Sequence, residues 1–122
     1  FGPHAEVMAV GEGIETMLSL RIAMPTLSMI AALSAAHLAA LIPPAQVRRI
    51  YIAADSDAAG RNAAARLAQR LSTLSIEAIL LTPRRKDFND DLIADGAGML
   101  AAHLADQLTA DDRQRFISAR SQ

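Results

Sequence analysis

Residues 48–60 have the sequence RRIYIAADSDAAG and contain the strongest structural signal of the chain. The apolar, β-branched run that begins at Ile50 is typical of a buried parallel strand. Two carboxylates, Asp55 and Asp57, follow this strand, and a turn of small residues leads from them into a helical pattern. Ligands of open α/β sheets bind outside the carboxyl ends of the strands, where these acids would lie. Alternate residues of an extended segment point the same way, so both carboxylates could reach one cation.

Strand and helix patterns alternate on both sides of this segment. We predict strands over residues 6–10, 26–33, 48–54 and 76–81. We predict helices over residues 14–24, 35–42, 58–74, 99–108 and 111–119, with a shorter one that opens near Phe88 and is broken by Asp95, Gly96 and Gly98. This alternation predicts an α/β fold with a mainly parallel four-stranded sheet flanked by helices. Residues 1–97 would form the core of a single domain, and residues 98–122 its helical extension.

Apolar spacing also predicts which helix faces are buried. The first helix would bury one face marked by Ile14, Met17, Leu18 and Ile22. The helix over residues 58–74 would bury Ala59, Ala63, Leu67, Leu71 and Leu74. The last helix offers mainly Phe116 and Ile117 as apolar anchors, so we expect it to be loosely attached.

Composition limits the classes of protein to consider. The chain has 122 residues, 52% of them apolar and 20% charged, which is typical of one globular domain. No apolar run approaches the roughly 20 residues of a membrane span. Cysteine is absent, which excludes disulfides and thiolate metal sites and suits a cytoplasmic location. A net charge of −1 is lower than expected for an independent nucleic-acid binder, and the initial Phe1 suggests a piece of a longer protein.

Acidic residues follow three of the predicted strands at the same edge of the sheet. They are Glu12 between two glycines, the pair Asp55 and Asp57, and Asp87 with Asp90 or Asp91. Neighbouring strands lie about 4.8 Å apart, so acids at their ends can share a site. Such a site suits Mg²⁺ or Mn²⁺, which prefer oxygen ligands. Crowding by other acids raises a carboxylate pKa, and this makes Glu12 the candidate general acid or base.

Each of these acids also has a purely structural explanation. Asp55 and Asp57 could cap the following helix, and Asp87 could cap the next one with Asp90 in a capping box. Glu12 could be an ordinary turn residue. The coincidence of all three groups at one edge of the sheet favours a shared site.

Basic residues near these acids are candidate contacts for phosphate or for a nucleic-acid backbone. Lys86 stands immediately before Asp87, in a loop that also contains Arg84 and Arg85. Arg61 lies just inside the helix that follows the Asp pair. A solvated loop explains Arg84 and Arg85 at least as well, and a surface position explains Arg61 equally well.

Three segments together resemble the Toprim domain, which is shared by DnaG-type primases, type IA and type II topoisomerases, and some nucleases and recombination proteins. The segments are VGEGIET (residues 10–16), ADSDAAG (residues 54–60) and KDFND (residues 86–90). The resemblance spans roughly residues 6–93 and is most similar to the primase-like Toprim domains of phages, plasmids and mobile elements. Ala59 and Gly60 stand where topoisomerases usually have a third aspartate and a histidine, which disfavours a topoisomerase.

The resemblance implies that Glu12 is the general acid or base, that Asp55 and Asp57 bind metal, that Asp87 is a further acid of the metal site, and that Lys86 contacts phosphate. The function that we expect is metal-dependent nucleotidyl transfer with Mg²⁺ or Mn²⁺, within a primase-like protein acting in DNA replication. Its partners would be single-stranded DNA, nucleoside triphosphates and other domains, with a helicase among the candidates. We expect the module to be inactive without those domains, because the zinc-binding and remaining polymerase segments are absent. A Toprim nuclease and a non-catalytic binding module are the alternatives.

Overall fold

Strands and helices alternate along residues 6–117, the part of the chain that the computed structural model describes. The strands are β1 (Val7–Gly11), β2 (Ser28–Ala31), β3 (Arg49–Ala53) and β4 (Glu77–Leu81). The helices are α1 (Ile14–Ala23), α2 (Ala35–Ala39), α3 (Ala58–Thr73), α4 (Phe88–Ala105) and α5 (Ala110–Phe116). Among these helices, none has both the length and the apolarity that crossing a membrane requires.

The four strands form one parallel sheet in the order β2-β1-β3-β4. Gly11 at the end of β1 pairs with Ala31 of β2 and with Ala53 of β3, and Ala53 pairs with Leu81 of β4. The strands therefore end level with one another, and the segments that follow them emerge at one edge. The predicted α/β fold with a four-stranded parallel sheet is confirmed.

Hydrophobic residues cover both faces of the sheet, because successive side chains of a strand point to opposite sides. On one face, Tyr51 and Ala53 of β3 belong to a cluster with residues of α1 and α4, including the fully buried Phe88. On the other face, Ile50 and Ile52 belong to a cluster with residues of α2 and α3. Strand β3 is therefore buried on both sides, as its uninterrupted apolar sequence predicts.

The predicted buried face of α1 is wrong at three of its four residues and right at Met17, which is buried. Ile14, Leu18 and Ile22 are each more than half exposed. The buried residues are Thr16, Met17, Ser19 and Leu20. Small polar residues allow α1 to approach α4, and the Ser19 hydroxyl bonds the Glu15 carbonyl at 2.9 Å and Asn89 Oδ1 at 3.4 Å. Three of the large apolar side chains of the helix are left towards solvent, whereas Met17 and Leu20 are buried.

Several other boundaries and buried positions differ from the prediction. Strand β2 ends before Leu33, which has a φ of 76° outside the strand region. Helix α2 is shorter than predicted, although Ser34 caps it by accepting a bond from the His37 N–H. In α3 the predicted Ala63, Leu67 and Leu71 are buried, whereas Ala59 is exposed and Leu74 is 55% exposed beyond the helix end.

The predicted break before the last two helical segments is confirmed at Gly96, whose φ of 88° and ψ of 167° are non-helical and suit glycine. α4 therefore consists of two helical parts that meet at Gly96. Helix α5 lies against the sheet through a polar anchor, since the buried Asp112 accepts bonds from Tyr51 and Arg49. The expectation of loose attachment considered apolar anchors alone and did not include this polar anchor. Residues 118 and 119 of the predicted helix lie outside the described residues.

Candidate functional site

Glu12 lies in the short connection between β1 and α1, at the edge where the strands end. Two backbone bonds hold this connection beside the end of β2, from Ala32 N–H to the Gly11 carbonyl at 2.7 Å and from Leu33 N–H to the Glu12 carbonyl at 2.6 Å. Glu12 Oε1 is buried and has no hydrogen-bond partner among the described residues. Because a buried carboxylate oxygen is costly to leave unpaired, this atom requires an explanation.

The turn that contains Asp55 and Asp57 is fastened to the loop before α4. The Ser56 N–H bonds the Lys86 carbonyl at 3.1 Å, and the Ser56 hydroxyl bonds the Arg85 carbonyl at 3.2 Å. These two bonds bring the acids after β3 next to the third acidic segment. Ser56 is a residue of the site that the sequence motifs did not single out, although a small hydroxyl residue in a turn commonly bonds nearby backbone.

Asp57 does have the structural role that its position suggested. Its Oδ1 accepts a bond from the Gly60 N–H at 2.7 Å and so caps α3. One oxygen is enough for this cap, and an aspartate carboxylate has two oxygens that accept hydrogen bonds or bind a cation. The capping role and a role in a cation site are therefore compatible.

Gly60 occupies a narrow space between the first two acidic groups. A Cβ at this position would lie 2.9 Å from Glu12 Oε1, 3.0 Å from Asp57 Oδ1 and 2.8 Å from the Asp55 carbonyl oxygen. The Glu12 and Asp57 oxygens are therefore both close to this point. Only glycine leaves the space free, because any other residue would place a Cβ in it.

The loop before α4 supplies Asp87 to the same edge and uses Asp91 to hold its own backbone. Asp87 caps α4 by accepting a bond from the Asp90 N–H at 2.8 Å. Asp91 is buried and accepts bonds from the backbone N–H groups of Arg84 at 2.7 Å and Arg85 at 2.9 Å. Asp91 thus shapes the loop, whereas Asp87 lies close enough to Asp55 for its charge to act on it.

The charges of these acids act on one another. The pKa of Glu12 is raised above 4.5, chiefly by burial and then by the negative charges of Asp55 and Asp57. The pKa of Asp55 is raised above 3.8, chiefly by burial and then by the charges of Asp87 and Asp57. The four predicted acids therefore form one electrostatic group, called the acid cluster below.

Two groups oppose the rise of the Asp55 pKa. A hydrogen bond from the Thr16 side chain and the positive charge of Lys86 both favour its ionised form. Thr16 is buried in α1, and nothing in the sequence connects it with Asp55, which is distant along the chain. It is a residue of the site that sequence reasoning missed.

The two predicted cationic contacts differ in how they are held. Lys86 is exposed beside the cluster and acts on Asp55 through its charge. Arg61 donates from Nη1 to the Ser56 carbonyl, which ties its guanidinium to the turn of the Asp pair. Arg85 is used within its own loop, where it pairs with Asp91 and with both carboxylate oxygens of Asp95. Arg85 therefore has a structural role within its loop. Phosphate contact by Lys86 and by Arg61 stays a prediction.

The donor atoms of the acid cluster suit a hard divalent cation. Carboxylate oxygens are the preferred ligands of Mg²⁺ and Mn²⁺, and the unpaired Glu12 Oε1 is an available donor. In residues 6–117, no three Asp, Glu, His or Cys side chains stand close enough together to enclose an ion. Binding would therefore need a shift of these side chains or oxygens from a substrate and water, which Mg²⁺ commonly retains.

We predict that Gly60→Ala destabilises the protein by about 1–3 kcal/mol, the usual range for an overpacked site. The new methyl group would press on the Asp55 backbone carbonyl, which cannot move as a side-chain tip can. Chemical unfolding measures the effect. Gly98→Ala is the matched control, since a Cβ there meets nothing within 4 Å, and better helix propensity should stabilise by up to about 1 kcal/mol. Equal effects of the two substitutions would contradict the close packing at Gly60.

The raised pKa of Glu12 gives a pH-dependent prediction. An acid whose pKa is higher in the folded protein contributes its full stability below the unfolded value of 4.5, and this contribution is lost as pH rises through the folded pKa. Without divalent cations, Glu12→Gln should therefore gain stability over the wild type as pH rises from about 4.5 to neutral. Chemical unfolding at several pH values in a chelating buffer tests this, with the exposed Glu15→Gln as control. A Glu12→Gln protein less stable than the wild type near neutral pH would contradict the electrostatic account.

Comparisons with known proteins give a structural match for this fold. None of the curated proteins compared with the chain is significantly similar to it. Among solved structures, a crystal structure of a DNA primase domain from Pseudomonas aeruginosa is similar, with a TM-score of 0.60 and 23% sequence identity. The match covers 85% of this chain and 34% of that one, so the chain spans about a third of that protein's length.

A family model described as Toprim domain matches residues 7–98. The matched segment includes the whole sheet and all three acidic segments of the cluster. Both the sequence motifs and the parallel sheet that gathers them are thus accounted for by one family, and the chain belongs to the Toprim domain family.

Proposed function

We propose that this chain is the metal-dependent nucleotidyl-transfer module of a primase-type protein that makes primers on single-stranded DNA. The observation that carries the proposal is the acid cluster, in which the buried Glu12 Oε1 has no partner among the described residues and Asp55, Asp57 and Asp87 act on one another. The fold shared with the Pseudomonas aeruginosa primase domain supports the choice of a primase-type protein.

In this proposal Glu12, Asp55, Asp57 and Asp87 would hold Mg²⁺ or Mn²⁺. When bound, such ions stabilise the negative charge that develops on a phosphoryl group and help to activate a hydroxyl. Burial and its acidic neighbours raise the pKa of Glu12, which favours its protonated form and suits a role in proton transfer. Thr16 lies next to the Asp55 carboxylate and favours its ionised form.

Cationic groups next to the cluster would orient the negatively charged substrate. Lys86 and Arg61 are the candidates, and both are exposed at the edge of the sheet where the acids gather. The net charge of the chain is only −1, so binding of a DNA template would rely on further domains, with a helicase as a candidate partner. We propose a cytoplasmic location for the whole protein.

The test uses the full-length protein with a single-stranded DNA template, ribonucleoside triphosphates and Mg²⁺. The proposal expects short RNA products that depend on both template and Mg²⁺. Metal-dependent shortening of the template without new RNA would instead assign the chain to a Toprim nuclease. Retention of DNA without either reaction would indicate a binding module.

A further inference from the structure

A pocket of about 290 Å³ opens beside the acid cluster, between α3 and the end of β4. Its polar side is formed by Asp55, Ser56 and Arg61. Its apolar side includes Ala64, Leu80 and Pro83. The volume lies near the lower end of the roughly 300–1,000 Å³ typical of small-ligand sites. Asp55 lines the pocket and also belongs to the acid cluster. A ligand in the pocket would therefore be in direct contact with the cluster.

The apolar side of the pocket contains a leucine that the fold does not cover. Leu80 lies on the edge strand β4 and is 50% exposed, although Leu81 beside it is buried. Ala64 on the facing side of α3 is buried, and its small side chain leaves room next to Leu80. A flat apolar group placed here would remove the exposed part of Leu80 from water, which favours binding in proportion to the area covered.

The polar side of the pocket is fixed in place by the turn of the Asp pair. Arg61 Nη1 bonds the Ser56 carbonyl, and the Ser56 side chain in turn bonds the Arg85 carbonyl. A guanidinium held in this way keeps further N–H donors and presents a planar face that can stack on an aromatic ring. Stacking between arginine and an apolar wall is a common way in which proteins bind a nucleobase.

We propose that this pocket receives the nucleobase of a mononucleotide whose phosphate lies at the acid cluster. A nucleotide has the two parts that the site requires, a planar and largely apolar base for Leu80 and Arg61, and a phosphate for the cation-binding edge. The proposal rests on the proposed function, because it takes the acid cluster as the place of the phosphate. It adds that Leu80, Ala64 and Arg61 position the base.

The experiment is a titration of the isotope-labelled chain with adenosine 5′-monophosphate in the presence of Mg²⁺, followed by NMR. Ribose 5-phosphate is the matched ligand, since it has the sugar and the phosphate but no base. Leu80→Asp is the test variant, and Leu74→Asp is its control, because Leu74 is similarly exposed, at 55%, just beyond the opposite end of α3.

The mononucleotide should shift the amide signals of Ala64, Leu80 and Thr82, and ribose 5-phosphate should leave them in place. Leu80→Asp should weaken mononucleotide binding by about tenfold or more, since it replaces the apolar contact with a negative charge near the base. Leu74→Asp should bind as the wild type does. Equal effects of the two ligands on the pocket, or unchanged binding by Leu80→Asp, would overturn the proposal.

A separate titration with Mn²⁺ alone distinguishes this proposal from the proposed function. Signals near Glu12 and Asp55 that broaden with Mn²⁺, while the mononucleotide leaves the pocket signals unmoved, would refute the base pocket and retain the metal site. Base-dependent shifts in the pocket with no site-specific effect of Mn²⁺ would retain the base pocket and contradict the metal site.

Discussion

Replacing Asp55 or Asp57 with asparagine should lower the metal-dependent activity of the full-length protein by about 10²–10⁴-fold, the range for loss of a group that acts in the chemical step. Asparagine keeps the shape of the side chain and an oxygen that can accept the Gly60 N–H bond, so the cap of α3 is preserved at position 57. The charge that binds the cation is lost. Alanine at position 57 would be a poorer test, since losing the cap alone costs about 1 kcal/mol.

Activity and thermal stability of each variant should be measured on the same protein preparation. Asp106→Asn is the control, because Asp106 is an exposed acid at the end of α4, outside the acid cluster. We expect it to retain the activity of the wild type. Asp55→Asn and Asp57→Asn proteins that are both folded and active would exclude these carboxylates from the reaction.

The second large effect that we predict is on the stability of the folded protein. Asp112→Ala should destabilise the protein by about 2–4 kcal/mol, because it leaves the buried Tyr51 hydroxyl without its acceptor and removes one of the two carboxylates that pair with Arg49. Asp112 Oδ2 accepts bonds from the Tyr51 hydroxyl at 2.5 Å and from Arg49 Nη1 at 2.9 Å. The Tyr51 hydroxyl also accepts a bond from the Thr109 N–H at 3.1 Å, so the network joins the centre of the sheet to the start of α5.

Asp111→Ala is the matched control for this prediction, since Asp111 is the preceding residue in the same helical turn and is exposed. It should change the free energy of unfolding by no more than about 0.5 kcal/mol. Urea unfolding gives both values, and hydrogen exchange of α5 shows whether that helix opens first. Similar stabilities of the two variants would contradict the role of the polar network in holding α5.

The sheet and the positions of its acids could be predicted from the sequence because the signals are local. The run from Ile50 to Ala53 is buried on both faces of the sheet, and only an apolar strand fits there. The parallel register brings the ends of all four strands to one edge, so acids that follow different strands are expected to meet there. The predicted gathering of Glu12 with the Asp pair needs no information beyond this topology.

Contacts between distant segments could not be predicted in this way. Apolar spacing selected Ile14, Leu18 and Ile22 as buried, but α1 packs through the small and polar residues that its neighbours α4 and Asp55 can accommodate. Helix α5 carries few apolar residues, and its attachment depends on a buried aspartate that reaches Tyr51 across the fold. The pattern of hydrophobic residues along one helix does not indicate which distant residues that helix contacts.

The most direct test of a shared metal site is titration of Mn²⁺ into this chain, observed by NMR line broadening and compared with an Asp55→Asn/Asp57→Asn double variant, in which the cap of α3 is kept. The account predicts broadening confined to residues around Glu12, Asp55, Asp57 and Asp87 in the wild type, and its loss in the variant. Adding Mg²⁺ in excess should reverse the broadening if both ions use the same oxygens. Broadening that is unchanged in the double variant, or that is spread over unrelated surface acids, would contradict a metal site in the acid cluster.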